Sequence, residues 1–342
     1  MMTYGSEIVI PARGVRSLAW VGNSLMDVVG GNVRCGVDGS SNNPSIRWAF
    51  GFDGVATLSG SEYSVIYKRL GTKALLLKRD SILRELNRSF YHADVYEYPV
   101  CLARHGGRTL LIHCPEDYNR LEIEDAETGE RLTARSSKSA DFFHSRLAVN
   151  PSGTRLLSAG WVWQPWDAVN YFDLDAALRD PSVLDSFDRR AATYRNSSLV
   201  EESSACWQDD SRAIVTGGDE GGDDEESAAI DQERKLRRRG VVVYDTSTHS
   251  VLSSVVLEQV AGTIMPVGET HVVAFYHHPR LIRLSDGHVE YEWPSIDSGL
   301  QTSSIVEQIP PPPPMAFDPA RRRFAIAQDD GIHVIELAET HA

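Results

Sequence analysis

His92, His277, His278 and Asp329 are the side chains of this sequence whose types could form a catalytic or metal-binding site. Imidazole and carboxylate groups that meet at one point can hold a metal ion or exchange protons with a substrate. No HxH or HExxH spacing accompanies them, and 11 histidines in 342 residues is an ordinary number. A lyase or hydrolase that uses these four residues is therefore the alternative interpretation of the sequence.

A second set of metal-binding residue types, Cys101, His105, His113 and Cys114, fails on geometry. His113 and Cys114 are consecutive residues of a predicted strand, so their side chains point to opposite faces. The four cysteines of the chain form no CxxC pair and are too scattered for a disulfide framework. We expect no metal and no cofactor.

Aromatic residues concentrate in a few loops, which makes those loops the candidate surface for a protein or peptide partner. Three tryptophans fall within six residues around Pro165, and residues 89–98 are rich in tyrosine. Tryptophan and tyrosine are enriched at binding hot spots because they bury large areas at low entropic cost. The predicted partner-binding residues, with those of neighbouring loops, are Trp161, Trp163, Trp166, Tyr91, His92, Tyr96, Tyr118, His277, His278, Asp329, Arg237 and Arg238.

Each aromatic segment also has a purely structural interpretation. Trp161 and Trp163 are two residues apart, so on a strand they share a face and could both pack in the core. Trp166 is as compatible with burial as with exposure. Residues 89–98 could line a polar pocket or form an ordinary strand with alternating faces.

Residues 219–239 hold the densest charge in the chain, with an acidic block followed by a basic block. Asp231 and Lys235 are spaced as an i,i+4 pair, which favours a short helix. One interpretation is a loop whose two charge blocks neutralise each other. The other is a docking element for a partner with a matching charge pattern.

The overall charge argues against some partners. The formal net charge is −14, from 34 basic and 48 acidic residues, so a nucleic-acid backbone or an anionic membrane would be repelled. The first residues lack the basic start and apolar run of a signal peptide, and no stretch of about 18 apolar residues could span a membrane. We expect a cytoplasmic protein.

The elements that position these residues form a repeat. Seven hairpins recur, each an apolar run, a turn rich in Gly, Asp, Asn or Pro, and a second apolar run. Their turns fall near positions 22, 71, 106, 152, 210, 269 and 320. Second hairpins follow, for example at residues 121–132 and 241–252. Two hairpins supply strands a, b, c and d of one four-stranded sheet.

Repeats spaced by roughly 35 to 60 residues are typical of propeller blades. Residues 331–337 supply strand c of the last blade, after which the chain stops, and residues 7–10 precede the first hairpin without a partner. We therefore predict that residues 7–10 form strand d of the last blade and close the ring. The prediction is an all-β fold, one seven-bladed propeller domain over residues 1–342.

Two connecting segments have distinctive sequences. Pro310 to Pro314 form a polyproline run, which is either a stiff connector into the last blade or a ligand for an aromatic-lined groove. Residues 175–184 predict a short helix that breaks at Pro181, outside the fourth blade.

The chain resembles the WD-repeat and YVTN-like propeller superfamily. The resemblance lies in the hairpin Asn150-Pro-Ser-Gly153 and in Tyr244-Asp245 and Phe172-Asp173, which stand where a Trp-Asp dipeptide would. It implies a propeller that serves as a protein-interaction scaffold, and it transfers no site residues. We expect the partner on the face formed by the b–c and d–a loops, and a monomer or one subunit of a complex. The enzyme alternative would place its histidines and aspartate around the central channel.

Overall fold

The computed structural model describes residues 2–36, 38, 40–42, 46–163, 165–187, 200–219 and 236–339. These residues form seven antiparallel sheets arranged as the blades of a propeller, which confirms the predicted fold class. The strands are β1 (Met2–Ile10), β2 (Ala19–Val21), β3 (Ser24–Asp27), β4 (Val33–Cys35), β5 (Gly54–Thr57), β6 (Tyr63–Tyr67), β7 (Lys73–Lys78), β8 (Ser81–Asn87), β9 (Val100–His105), β10 (Arg108–His113), β11 (Glu122–Asp125), β12 (Leu147–Val149), β13 (Arg155–Val162), β14 (Trp166–Asp173), β15 (Glu202–Trp207), β16 (Arg212–Gly217), β17 (Gly240–Asp245), β18 (Ser250–Val256), β19 (Ile264–Val267), β20 (His271–Tyr276), β21 (His278–Arg283), β22 (Val289–Glu292), β23 (Met315–Asp318), β24 (Arg323–Gln328) and β25 (Gly331–Glu339).

The blades follow the chain in order. Blade 1 consists of β2–β4, blade 2 of β5–β8, blade 3 of β9–β11, blade 4 of β12–β14, blade 5 of β15–β18, blade 6 of β19–β22, and blade 7 of β23–β25 with β1. We call the face formed by the b–c turns and the d–a connectors the upper face. Within the described ranges, no helix is long and apolar enough to cross a membrane.

Ring closure by the N-terminal strand is confirmed. β1 pairs antiparallel with β25, with Glu7 opposite Ile335 and Ile10 opposite Ile332. The His333 Nδ1 atom lies 2.8 Å from Glu7 Oε1, which adds a side-chain contact across the closure. The two ends of the chain thus share one sheet.

The prediction of four strands in every blade is only partly right. Among the described residues, blades 1, 3 and 4 have three regular strands each. In blade 3 the fourth position is reduced to an isolated bridge between Glu124 and Arg131. In blade 4 it is replaced by α1 (Leu174–Arg179) and a 3₁₀ helix (Pro181–Asp185), as the break at Pro181 predicted. The outermost strand contributes least to the shared core, so it tolerates replacement.

The predicted first hairpin of blade 2 is wrong. The turn near position 71 joins β6 to β7, with Tyr67 opposite Ala74, and is therefore the b–c hairpin. Strand a is β5, and the a–b turn lies at residues 58–62. Both hairpins present apolar runs around a polar turn, so local turn chemistry alone does not distinguish them.

The other six predicted turns join strands a and b, as the sequence indicated. Gly153 has φ +72°, a left-handed conformation in the a–b turn of blade 4. Asp125 and Asp245 each end a strand c and accept backbone hydrogen bonds from the following turn, from Thr128 N (2.9 Å) and Thr248 N (3.0 Å) respectively. The aspartate of the Tyr244-Asp245 dipeptide therefore fixes the c–d turn.

The hydrophobic core lies between neighbouring blades. One cluster joins Val243 of blade 5 to Val272 of blade 6. Another joins Phe275 of blade 6 to Ile335 of blade 7. Each sheet is thus covered on both faces by its neighbours, which is why apolar side chains occur on both faces of the inner strands.

One long connector crosses the upper face, and we call it the strap (residues 294–314). It leaves blade 6, and its Val306 N–H donates to Val95 O on the connector between blades 2 and 3 (2.8 Å). Its Gln301 accepts a hydrogen bond from the Arg69 guanidinium of blade 2 (2.9 Å). The polyproline run forms the end of the strap directly before β23, at the predicted connector position.

Candidate functional site

Seven aromatic rings from four loops meet on the upper face above blades 3 and 4. The connector at residues 88–99 and the b–c loop at 114–121 supply four of them, and the connector at 126–146 and the end of β13 supply the others. We call this cluster the aromatic platform. Its members are Tyr91, His92, Tyr96, Tyr118, Phe143, Trp161 and Trp163.

The centre of the platform is a stack of three rings. Phe143 lies between Trp161 and Tyr118, with ring centroids 3.6 and 4.0 Å away and interplanar angles of 11° and 24°. Tyr96 meets Phe143 edge to face at 5.7 Å. Stacked and edge-to-face rings of this kind are fixed in position by packing, which makes the platform rigid.

The platform has a buried base and an exposed rim. Trp161 and Tyr96 are fully buried, whereas 51% of Tyr91 and 56% of Trp163 is exposed. His92 lies between the two layers, 5.5 Å from Trp163 and 6.0 Å from Trp161 between ring centroids. Large aromatic side chains held on a packed base and open to solvent have the anatomy of a binding hot spot.

Packing in the core, which was the structural interpretation of both Trp161 and Trp163, therefore holds only for Trp161. Trp161 packs in the interior and forms an isolated strand bridge with Phe143. Trp163 lies just beyond the end of β13, so strand alternation no longer sets its direction, and it is exposed. Phe143 is absent from the predicted site residues, although Phe142, Phe143 and His144 form an aromatic run that could have marked this connector.

Trp166 does not join the platform. It packs with Phe142, Val162 and Ala168 in a separate cluster. Phe142 and Phe143 point to different sides of the same connector, so the two clusters back onto each other. Trp166 starts β14, and its half-buried ring covers the core.

The other predicted site residues have separate surroundings. His277 is the single turn residue between β20 and β21, and His278 Nε2 lies 3.8 Å from Glu292 on the outermost strand of blade 6. Asp329 lies in the b–c turn of blade 7 and lines a cavity with Asp330.

Most of the charged loop lies outside the described residues, including its predicted helical pair Asp231 and Lys235. At its end, Arg237 is exposed, and its backbone carbonyl accepts a hydrogen bond from Gly240 N (2.8 Å). The Arg238 guanidinium donates to Asp219 O (2.8 Å), so this arginine ties the two ends of the loop together.

Acidic side chains border the platform. The hydroxyl of Tyr118 donates to Asp141 Oδ1 (2.7 Å), and burial, with this contact, raises the pKa of Tyr118. Asp94 is exposed between His92 and Tyr96, and Asp117 is exposed beside Tyr118, whereas the neighbouring Glu116 pairs with Arg131 (2.8 Å). The rim of the platform is therefore negatively charged.

The histidine and cysteine set at residues 101–114 does not form a metal site. Cys101 and Cys114 are buried in the apolar core between blades 3 and 4, and His105 contacts Asp175 at 3.1 Å. Within the part of the chain that the structure describes, no group of three or more His, Cys, Asp or Glu side chains is arranged to hold a metal.

Asp167 anchors the strap to blade 4. Its carboxylate accepts hydrogen bonds from Ser304 Oγ (2.6 Å) and Ser304 N (3.3 Å). Burial raises the pKa of Asp167 to about 6, although the positive charge of Arg146 and the serine hydrogen bonds act in the opposite direction. Ionised Asp167 is therefore a cost to the folded state at neutral pH.

This cost predicts a pH dependence of stability. Below about pH 4 the Asp167 carboxyl is protonated in both the folded and the unfolded chain. Between about pH 4 and 6 the folded chain binds this proton more tightly than the unfolded chain does. The free energy of unfolding therefore decreases as the pH rises through this range. Asp167→Asn keeps the acceptor oxygen and should stabilise the protein at pH 8 by up to about 3 kcal/mol. Urea unfolding at pH 5 and pH 8 measures the difference, with exposed Asp329→Asn as the control. A loss of stability in Asp167→Asn at pH 8 would contradict the expected sign.

The fold matches a solved propeller. The structure is similar to the β-propeller domain of Cps50 (Swd1) from Myceliophteria thermophila, with a TM-score of 0.57 and 11% sequence identity, over 99% of this chain and 100% of that one. No protein-family model matches the sequence. No curated protein matches it significantly. At 11% identity the likeness shows the fold, and it supports the resemblance to WD-repeat propellers at that level.

Proposed function

We propose that this protein is a protein-interaction scaffold that binds a partner segment on the aromatic platform. The observation that carries the proposal is the exposure of Tyr91 and Trp163 on a packed, buried base of Phe143 and Trp161. A soluble surface exposes adjacent aromatic rings at a cost, and such patches mark binding sites. The propeller supplies a rigid support, so a partner would lose little energy in ordering the platform.

The border of the platform favours a basic segment as the partner. Asp94, Asp117 and Asp141 are exposed around the rings, and the chain as a whole carries a net charge of −14. Lysine and arginine side chains bind favourably over tryptophan and tyrosine rings. The proposed partner therefore presents a lysine or arginine beside an apolar residue. We propose that the scaffold acts as a monomer or as one subunit of a larger assembly.

Selection from a displayed library of random short peptides tests the proposal. Peptides that bind should be enriched in lysine or arginine next to an apolar residue. Trp163→Ala and Tyr91→Ala should each weaken their binding about tenfold or more without lowering the melting temperature, because both side chains are exposed. Trp166→Ala is the matched control, since it removes a tryptophan three residues after Trp163 that belongs to a different cluster.

The charged loop is the alternative surface for a partner. The selected peptides distinguish binding at the platform from binding at this loop. Replacement of residues 220–235 by a short Gly-Ser linker keeps the buried Leu236 and should leave platform binding intact. Loss of binding in that variant, together with unchanged binding in Trp163→Ala and Tyr91→Ala, would move the site to the loop. Binding through the loop would also weaken strongly with salt, because exposed charges are screened over about 8 Å at physiological ionic strength.

A further inference from the structure

The central channel of the propeller contains two adjacent cavities. The lower cavity has a volume of about 680 Å³ and reaches the a–b turns at Gly22 and Gly153. The upper cavity has a volume of about 490 Å³ and is lined by Pro311–Pro314 of the strap. Val55, Leu147 and Phe317 line both cavities, so the two are adjacent. The proline run of the strap forms one wall of the upper cavity.

Arg146 lines both cavities and has an uncommon backbone conformation. It has φ +42°, a conformation that is sparsely populated for residues other than glycine. Its guanidinium donates to Ala159 O (3.3 Å), to Ser204 Oγ (2.9 Å) and to Ser203 O. All three partners are neutral oxygens. In the described ranges Arg146 makes no ion pair, and burial lowers its pKa despite the charges of Asp167 and Glu97.

The upper cavity also has more positive than negative side chains. Arg16, Arg69 and Arg146 line it, against Asp53 and Glu97. Glu97 pairs with Arg69, and Asp53 pairs with Lys68, so Arg16 and Arg146 are the lining cations that no described carboxylate pairs with. A cationic cavity in a chain with a net charge of −14 is a local reversal of sign. Such a reversal draws small anions into the channel.

We propose that the upper cavity binds a small organic oxyanion, a carboxylate or a phosphate ester with an apolar group, through the guanidinium of Arg146. The oxyanion gives the half-buried guanidinium a direct charged partner, which its three hydrogen bonds to neutral oxygens do not supply. Hydrogen bonds between charged groups are stronger than those to neutral acceptors. The apolar group packs against Ile264, Met315 and the proline run. The cavity volume is within the range of small-molecule sites. This site is separate from the aromatic platform and does not depend on it.

Calorimetric titration with benzoate and phenyl phosphate tests the proposal, with benzyl alcohol as the neutral analogue. Both oxyanions should bind the full chain and raise its melting temperature, and benzyl alcohol should do neither. Arg146→Gln should weaken the binding of both oxyanions about tenfold or more. The matched control is Arg280→Gln, because the Arg280 guanidinium also donates to a neutral oxygen, Val260 O (2.6 Å), but lies outside the cavity lining.

A second variant keeps the test decisive if Arg146→Gln fails to fold. Ala205 lines the upper cavity, so Ala205→Leu fills it without changing its charge and should also weaken oxyanion binding. The proposal is overturned if neither oxyanion binds the full chain, if benzyl alcohol binds equally well, or if binding is unchanged in the folded variants of Arg146 and Ala205. Loss of peptide binding at the platform would leave all of these results unaffected.

Discussion

Removal of residues 1–10 is expected to abolish cooperative unfolding of the ring and to leave most of the protein insoluble. The deletion takes away β1, whose pairing with β25 closes the propeller. It exposes the edge of β25, and an unpaired apolar strand edge promotes association between chains. It also removes Ile10 from the core that blades 7 and 1 share. Soluble yield and a thermal melt followed by circular dichroism measure the effect.

Two point variants test the contribution of β1 to ring closure in a chain of full length. Ile10 is 3% exposed and Val9 is 42% exposed on the same strand. Ile10→Asp buries an unpaired charge and should cost about 3 kcal/mol or more, whereas Val9→Asp should cost less than about 1 kcal/mol. A truncated chain that melts at the temperature of the full chain would show that β1 does not hold the ring closed.

Gly153→Val is expected to destabilise the protein by about 3 kcal/mol or more, through both backbone strain and a steric clash. Gly153 has φ +72°, and a Cβ atom at this position would lie 2.2 Å from Arg104 O. Arg104 belongs to β9, so the clash falls between the backbones of blades 3 and 4, which cannot rotate away as a side chain could. The midpoint of urea unfolding measures the loss.

Gly106→Val is the matched control for this variant. Gly106 also lies in an a–b turn with a positive φ of +55°, but nothing lies within 4 Å of its added Cβ. It should therefore show the strain alone, about 1 to 2 kcal/mol. Equal losses in the two variants would mean that the approach of Gly153 to blade 3 contributes nothing to stability.

The turns were predictable because their chemistry is local. Gly153 and Asp245 act within a few residues of themselves, so the hairpins, the blade count and the place of the closing strand could be read along the chain. The error in blade 2 has the same origin. The turn at residue 71 has the same local signature as an a–b turn, and only the pairing of Tyr67 with Ala74 assigns it to strands b and c.

The candidate sites depend on contacts between distant segments. The aromatic loops of Tyr91, Tyr118 and Trp163 were recognisable one by one, since aromatic residues in loops stand out in any sequence. Their convergence on Phe143 was not, because nothing local in this connector shows which of the adjacent Phe142 and Phe143 faces the aromatic loops. Trp166, three residues after Trp163, lies in another cluster because β14 begins there and turns its ring toward the core.

The sequence by itself determined the repeat, the ring and the residues at its closure, because these follow from turn residues and strand alternation. Only the tertiary structure decided which loops meet. The strap that follows blade 6 hydrogen-bonds to Val95 and to Asp167, and each of these partners is more than a hundred residues away from it in the sequence. The same holds for Arg146, one arginine among many in the sequence. Its place in the channel, with only neutral hydrogen-bond partners, results from the way blades 4 and 5 pack around it.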